Sequence, residues 1–461
     1  MSPPKRQLGI AIAAAIVIAN MVGAGVFTSA GFQAASSFKD PWTMMSTWLV
    51  GGVIALCGAA AYAELGSLMP RAGGEYVYLR EAYHPVIGIM SGWVSLVVGF
   101  SAPVAAAALL FASYLGAFVP GLGGTAATRS VACLLIVAMS LLHAFDTRVG
   151  SRVQTGFTIA KVLLIVAFIV AGLVVGTGDW SHFAARGDGL SALGNRAGAA
   201  SYATALMYVG FAYSGWNAAT YIAGEIRAPQ RTLPRALLLG TVVVMLLYMG
   251  LNLVFLYAIP PEAMAVDPVH QPVGDLAARA LFGPYAGELL SSLIALALMS
   301  AVSAMIMAGP RVYAAMAADH ALPKGLAYHS RRGVPVVAVI VQCMIALGFA
   351  IASDPDQLIR IAGFTLALFA ALTVGAVFVF RARGKVSAYR VPGYPVTPLL
   401  FIGLSLWTVY FGISANPRVS LAIIAVLVVG AGSTWRQVEA SRARGAAPAA
   451  SPSVGSTVAS G

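Results

Sequence analysis

Apolar runs of about twenty residues or more recur along the chain, at roughly 9–31, 43–69, 86–119, 129–146, 153–176, 200–224, 234–260, 286–316, 334–353, 357–381, 396–415 and 418–435. About twenty apolar residues in a helix cross the ~30 Å hydrocarbon layer of a bilayer. Inside that layer each backbone N–H and C=O must be satisfied without water, which leaves helices as the structure such runs can form. Only 10% of the 461 residues are charged, against roughly 25% in soluble domains. These facts describe an all-α polytopic membrane protein with about twelve transmembrane helices.

The 28 Lys and Arg residues are unevenly placed along these runs. Most fall in the loops after even-numbered spans, among them Arg71, Arg80, Arg148, Arg152, Arg227, Arg231, Arg235, Arg331, Arg332, Arg381 and Arg383. The positive-inside rule then puts those loops and both termini in the cytoplasm, with the protein in the cell membrane. Orientation accounts for the net charge of +12, and no long basic run interleaved with aromatics points to nucleic acid. The expected division is a cytoplasmic tail over 1–8, a ten-helix core over 9–390, two further helices within 391–436, and a disordered cytoplasmic tail over 437–461. Lys5 and Arg6 precede an apolar run as in a signal peptide. That run is too long and lacks a small-x-small cleavage site, so a retained first span is expected. Cys57, Cys133 and Cys343 each lie alone in an apolar segment, without disulfide or zinc spacing.

Two spans contain residues that suit a lipid-facing helix poorly. The first carries Asn20-Met21-Val22-Gly23-Ala24-Gly25-Val26-Phe27 at its centre, and glycine costs a helix about 1 kcal/mol relative to alanine. The sixth carries Gly210-Phe211-Ala212-Tyr213-Ser214-Gly215-Trp216-Asn217. Small residues also serve close helix packing, so packing alone is one reading. Matched breaks in corresponding spans are the sequence mark of transporters built from inverted repeats. Here the breaks lie five spans apart, which suggests a 5+5 arrangement.

Broken helices supply chemistry through their backbones. A half-helix N-terminus presents free N–H groups and the positive end of its dipole to an anion. Unwound carbonyls and half-helix C-termini suit a cation. A zwitterion matches both ends, and no ionised side chain lies in either break. The backbone at Gly23, Ala24, Gly25 and Val26 is expected to hold a carboxylate. The carbonyls from Ala19 to Val22 and from Phe211 through Ala212 and Tyr213 to Ser214 are expected to take an amine. Phe211 and Tyr213 are gate candidates over the bound side chain, and Gly215 and Asn217 complete the site. Small residues in the first break favour a neutral, small or apolar amino acid.

Lys161 is deep within the fifth span. If that helix starts near Arg152, about nine residues at ~1.5 Å each place it roughly 13 Å inside. A cation at that depth is a functional or paired residue by default, with snorkelling back to the surface as the alternative. Glu64 and Glu225 stand at span ends, where Arg71, Arg227 or Arg231 are possible partners. Asn217 and Asn252 are polar groups that need partners within the membrane. The histidines form no metal constellation, and no catalytic grouping or phosphate-binding loop occurs, so neither an enzyme nor a cofactor is expected.

The chain resembles amino-acid permeases of the amino acid–polyamine–organocation superfamily, in the branch of L-type amino-acid transporters. The residues that carry the resemblance are Gly23-Ala-Gly-Val-Phe27, Tyr62-Ala-Glu64-Leu-Gly66, Pro70-Arg-Ala-Gly-Gly-Glu75-Tyr76 and Phe211-Ala-Tyr-Ser-Gly-Trp216-Asn217. Glu225-Ile-Arg227-Ala-Pro229, Arg231-Thr-Leu-Pro234-Arg235, Gly309-Pro-Arg311 and His320-Ala-Leu-Pro323 follow in order. The resemblance implies a LeuT-type fold, alternating access and an amino-acid substrate held between the first and sixth spans. It further implies that the Lys161 ammonium replaces a sodium ion, bonding carbonyls around Ala19–Val22 with Ser300 and Ser303 of the eighth span nearby. If Lys161 releases its proton during the cycle, H+ is the coupling ion; otherwise the protein is an exchanger. An amino-acid-binding membrane sensor without net transport is the alternative on the same fold.

Overall fold

The computed structural model describes residues 8–435, apart from 72, 120, 123, 146, 185–188, 320–321, 331–332 and several positions between 416 and 434. Residues 1–7, the tail 437–461 and half of the expected twelfth span, 418–435, lie outside the described residues, as does the start of the His320-Ala-Leu-Pro323 stretch. Among the described residues, eight helical segments are long and apolar enough to cross a membrane. Two shorter apolar helices, Thr158–Val174 and Val336–Ala352, belong to the fifth and ninth spans. The sixth span is split and completes the set of eleven.

Helix boundaries follow local chemistry. Pro41, Pro85, Pro229, Pro284 and Pro355 each stand in the first turn of a helix, where the missing N–H costs nothing. Asp40 adds a cap, its carboxylate accepting from the Thr43 N–H at 2.8 Å. The third span contains a π-helical stretch, Ser95–Ser101, which the apolar pattern does not reveal. There the Ser101 hydroxyl donates to the Leu96 carbonyl at 2.6 Å. Two amphipathic connecting helices, Glu75–Ala82 and Val273–Phe282, also stood outside the run of apolar segments.

Spans five apart in order pack against each other. The second lies along the seventh, the third along the eighth, the fourth along the ninth, and the second half of the first along the first half of the sixth. The first also packs on the seventh, and the third on the fourth. Two groups of helices result, one holding both interrupted spans. Ion pairs join ends that the charge pattern assigns to one side. Arg381 of the tenth span holds Glu64 with two hydrogen bonds, of 2.8 and 2.6 Å. Arg80 reaches Asp319 at 3.1 Å. Glu64 therefore pairs with Arg381 rather than with Arg71, Arg227 or Arg231, because the second and tenth spans end side by side. Glu225 acts through its backbone: its carbonyl accepts from the Leu8 N–H at 3.1 Å, and the Arg227 N–H returns to Leu8 at 2.9 Å.

Candidate functional site

The first span breaks between Ile10–Met21 and Ala24–Ser36, with Val22 and Gly23 as the non-helical hinge. The first N–H groups of any helix lack intrahelical partners. Those of Ala24, Gly25 and Val26 find no other backbone acceptor among the described residues, so the second half-helix presents a free N-terminus at mid-span. The sixth span runs Arg196–Ala212, then turns through Tyr213–Asn217 into a single short helical turn, Ala218–Tyr221. Gly215 makes that turn at φ +98°, and a Cβ on it would lie 2.9 Å from the Asn20 carbonyl. The two breaks thus face each other in contact.

The two glycines of the first break have different tasks. A Cβ on Gly25 would fall 2.4 Å from Ala212 Cα and 2.8 Å from Ala212 Cβ, so Gly25 lets the two half-helices touch. Gly23 has extended backbone, and the nearest atoms to its Cβ position are 3.9 Å and 4.0 Å away, the latter Ala301 Cβ of the eighth span. Packing and opening of the helix, alternatives in the sequence, here divide between neighbouring positions.

Lys161 is buried, and its ammonium donates to the Ala19 carbonyl at 3.0 Å and the Val22 carbonyl at 2.6 Å. The fifth span thereby places a fixed positive charge under the C-terminus of the first half-helix, where the dipole is negative. The Ala19 and Val22 carbonyls, expected to take a substrate amine, each accept from Lys161. Met21 is also engaged, by Tyr248, as is Ala212. The Phe211 carbonyl accepts from Ser214, both from its N–H at 3.0 Å and from its hydroxyl at 2.7 Å. The carbonyls of Asn20, Tyr213 and Ser214 carry no hydrogen bond among the described residues.

Other residues land elsewhere than their types suggested. Tyr213, a gate candidate, is held by packing: its hydroxyl donates to the Trp48 carbonyl at 3.1 Å, and its ring packs between Trp48 and Tyr248. Phe211 is buried at the turn and remains a gate candidate. Asn217 donates to Glu75 at 2.9 Å, so its amide serves a carboxylate at the helix connection. Ser303 sits 2.8 Å from the His143 ring of the fourth span, and Ser300 is buried on the same helix. Asn252 donates to the carbonyl of Tyr248 at 2.8 Å, within its own helix.

Tyr248 was not legible as a site residue. Its hydroxyl lies 2.6 Å from the Met21 carbonyl and 3.0 Å from the Ala212 carbonyl, joining the seventh span to both breaks. A lone tyrosine in the run Val244-Met-Leu-Leu-Tyr248 is the only sequence signal. Tyr248→Phe leaves two buried carbonyls to compete for no donor, a loss of about 1–3 kcal/mol. The expected result is a lower midpoint in a thermal melt. An unchanged melt would show that the clasp does not matter.

A helical bundle interrupted twice at mid-membrane, with backbone groups of both signs exposed and a lysine fixed in the break, has the build of a membrane transporter. The sequence profile of the amino acid permease family matches residues 8–433. The serine/threonine exchanger SteT of Bacillus subtilis (strain 168) is 31% identical over 408 residues, covering 87% of this chain and 90% of that protein. The human b(0,+)-type amino acid transporter 1 is 30% identical over 420 residues, 90% of this chain and 84% of that one. The human large neutral amino acids transporter small subunit 2 is 26% identical over 444 residues, 92% and 79% of the two chains. The chain belongs to the amino acid permease family. It is a secondary amino-acid transporter of the amino acid–polyamine–organocation superfamily, in its L-type branch.

Proposed function

We propose that this permease exchanges small neutral amino acids across the cell membrane without sodium, its more basic side and both termini facing the cytoplasm. The observation that carries this reading is the Lys161 ammonium on the Ala19 and Val22 carbonyls. A fixed cation there performs the neutralisation that a transported cation performs at an unwound helix. The substrate carboxylate lies at the N–H groups of Ala24, Gly25 and Val26. Its ammonium meets the carbonyls of Asn20, Tyr213 and Ser214. The shape is complementary to a zwitterion and to no particular side chain. The similarity to SteT, a serine/threonine exchanger, supports both the small substrate and the exchange mode. Rocking of one helix group against the other around the breaks gives alternating access.

Competition of counterflow in proteoliposomes tests the zwitterion site. Labelled L-serine uptake should be inhibited by unlabelled L-serine, and about a hundredfold less well by its methyl ester or by 3-hydroxypropionate. Each analogue forfeits one set of charge-assisted hydrogen bonds, worth about 3 kcal/mol. Equal inhibition by all three would overturn the assignment. Binding without any flux would favour the sensor.

A further inference from the structure

Glu75 opens the connecting helix Glu75–Ala82 between the second and third spans, and transport as derived above makes no use of it. Only 9% of the residue is exposed. The Tyr62 hydroxyl of the second span donates to Glu75 Oε1 at 2.6 Å, and the Asn217 amide donates to the same oxygen at 2.9 Å. Oε2 has no hydrogen bond among the described residues, and no lysine or arginine there comes within ion-pair distance. Both protein donors meet Oε1, which leaves Oε2 as the oxygen open to a proton.

Arg71, four residues before Glu75, is exposed, and the cations nearest the connecting helix have other partners. Arg80 pairs with Glu81 and Asp319, Arg381 holds Glu64, and Arg383 donates to the carbonyls of Glu81 and Ala82. The following helix, Pro85–Val94, brings no titratable side chain, and His84 before it stacks on Trp435. The remaining groups around the carboxyl are the phenols of Tyr62, Tyr78 and Tyr221, and Thr373 of the tenth span beside Tyr62. Burial pushes the Glu75 carboxyl above its usual range, while the bonds from Tyr62 and Asn217 pull against that rise.

The same contacts tie the carboxyl to the moving part. Asn217 lies two residues after Gly215 in the turn of the sixth span, and the Tyr62 ring packs edge-on against Trp216 with centroids 4.6 Å apart. At the other end of the connecting helix, Arg80 reaches Asp319 at the end of the eighth span. The helix therefore bridges the two groups of spans, with Glu75 at its contact with the sixth-span break.

We propose that Glu75 is a proton-binding site linked to alternating access: it holds a proton at Oε2 while the sixth-span break is docked on the connecting helix, and returns it to water on the basic side when the two part. This rests on the transport reading above. Parting hydrates the carboxyl and favours its ionised form, so acid stabilises the docked state and slows the cycle. Gln imitates the protonated acid, since its amide oxygen accepts both donors.

The test is L-serine exchange at saturating substrate in proteoliposomes, with equal pH on both sides, from about pH 5 to about pH 8. The wild-type rate should rise about tenfold with pH, as expected for one group titrating in that window. Glu75→Gln should run at the wild type's acid-side rate throughout, with L-serine still raising its thermal midpoint. Tyr62→Phe keeps the carboxyl but removes a donor that favours ionisation, so its midpoint should move up by about half a unit to one unit. A flat wild-type profile, a wild-type profile in Glu75→Gln, or an unmoved midpoint in Tyr62→Phe would each overturn the proposal. If Glu75→Gln does not fold, the Tyr62→Phe midpoint decides. Exchange absent at every pH would instead refute the transport reading.

Discussion

Replacing Lys161 by Ala is expected to lower exchange by more than about a hundredfold while L-serine still stabilises the protein against heat. The ammonium makes two charge-assisted hydrogen bonds, to carbonyls at the C-terminal end of the first half-helix, each worth about 1.5–3 kcal/mol. Losing them changes the energy difference between conformers of the first span by at least about 3 kcal/mol, or two decades in rate. Lys161→Arg should fail as well, because a planar guanidinium cannot present donors from one point to carbonyls three residues apart. Exchange at the wild-type rate in Lys161→Ala would remove the role assigned to this residue.

Gly25→Ala is expected to damage both stability and transport, and Gly23→Ala to do far less. The added methyl on Gly25 meets the Ala212 backbone at 2.4 Å, so the two half-helices must separate. Overpacking of this kind costs about 1–3 kcal/mol or more, and it pulls apart the two backbones that form the site. Exchange should fall by at least about a hundredfold with a lower thermal midpoint. At Gly23 the backbone is extended and the new Cβ finds 3.9 Å of clearance. Its rate should stay within about threefold of wild type. The opposite order would mean that hinge freedom, rather than contact between half-helices, governs the cycle.

The sequence exposes what depends on local composition. Apolar length reveals the spans, and glycines beside Asn20 and Asn217 reveal both breaks. The depth of Lys161 in an apolar run shows that it needs a partner, and the resemblance to the permeases implies that this partner is the first break. Contacts across the bundle are another matter. Tyr248 reads as one more aromatic until the seventh span is laid beside the first. Glu64 has several arginines near it in the chain, yet its partner is Arg381, more than three hundred residues away. The different tasks of Gly23 and Gly25 depend on where Ala212 lies. The helix Glu75–Ala82 is too short and polar to register among apolar runs, so the buried state of Glu75 was hidden. Tyr213, an aromatic in a break, has the composition of a gate and the surroundings of a packing residue.

The proposed sodium independence rests on the ammonium at the first break, and exchange of labelled L-serine measures it directly. Proteoliposomes loaded with unlabelled L-serine would be assayed in sodium chloride and in choline chloride. The two rates are predicted to be equal, and uptake is predicted to fall to background when no amino acid is loaded inside. Uptake that disappears in choline would show that a transported cation, and not Lys161, completes the site.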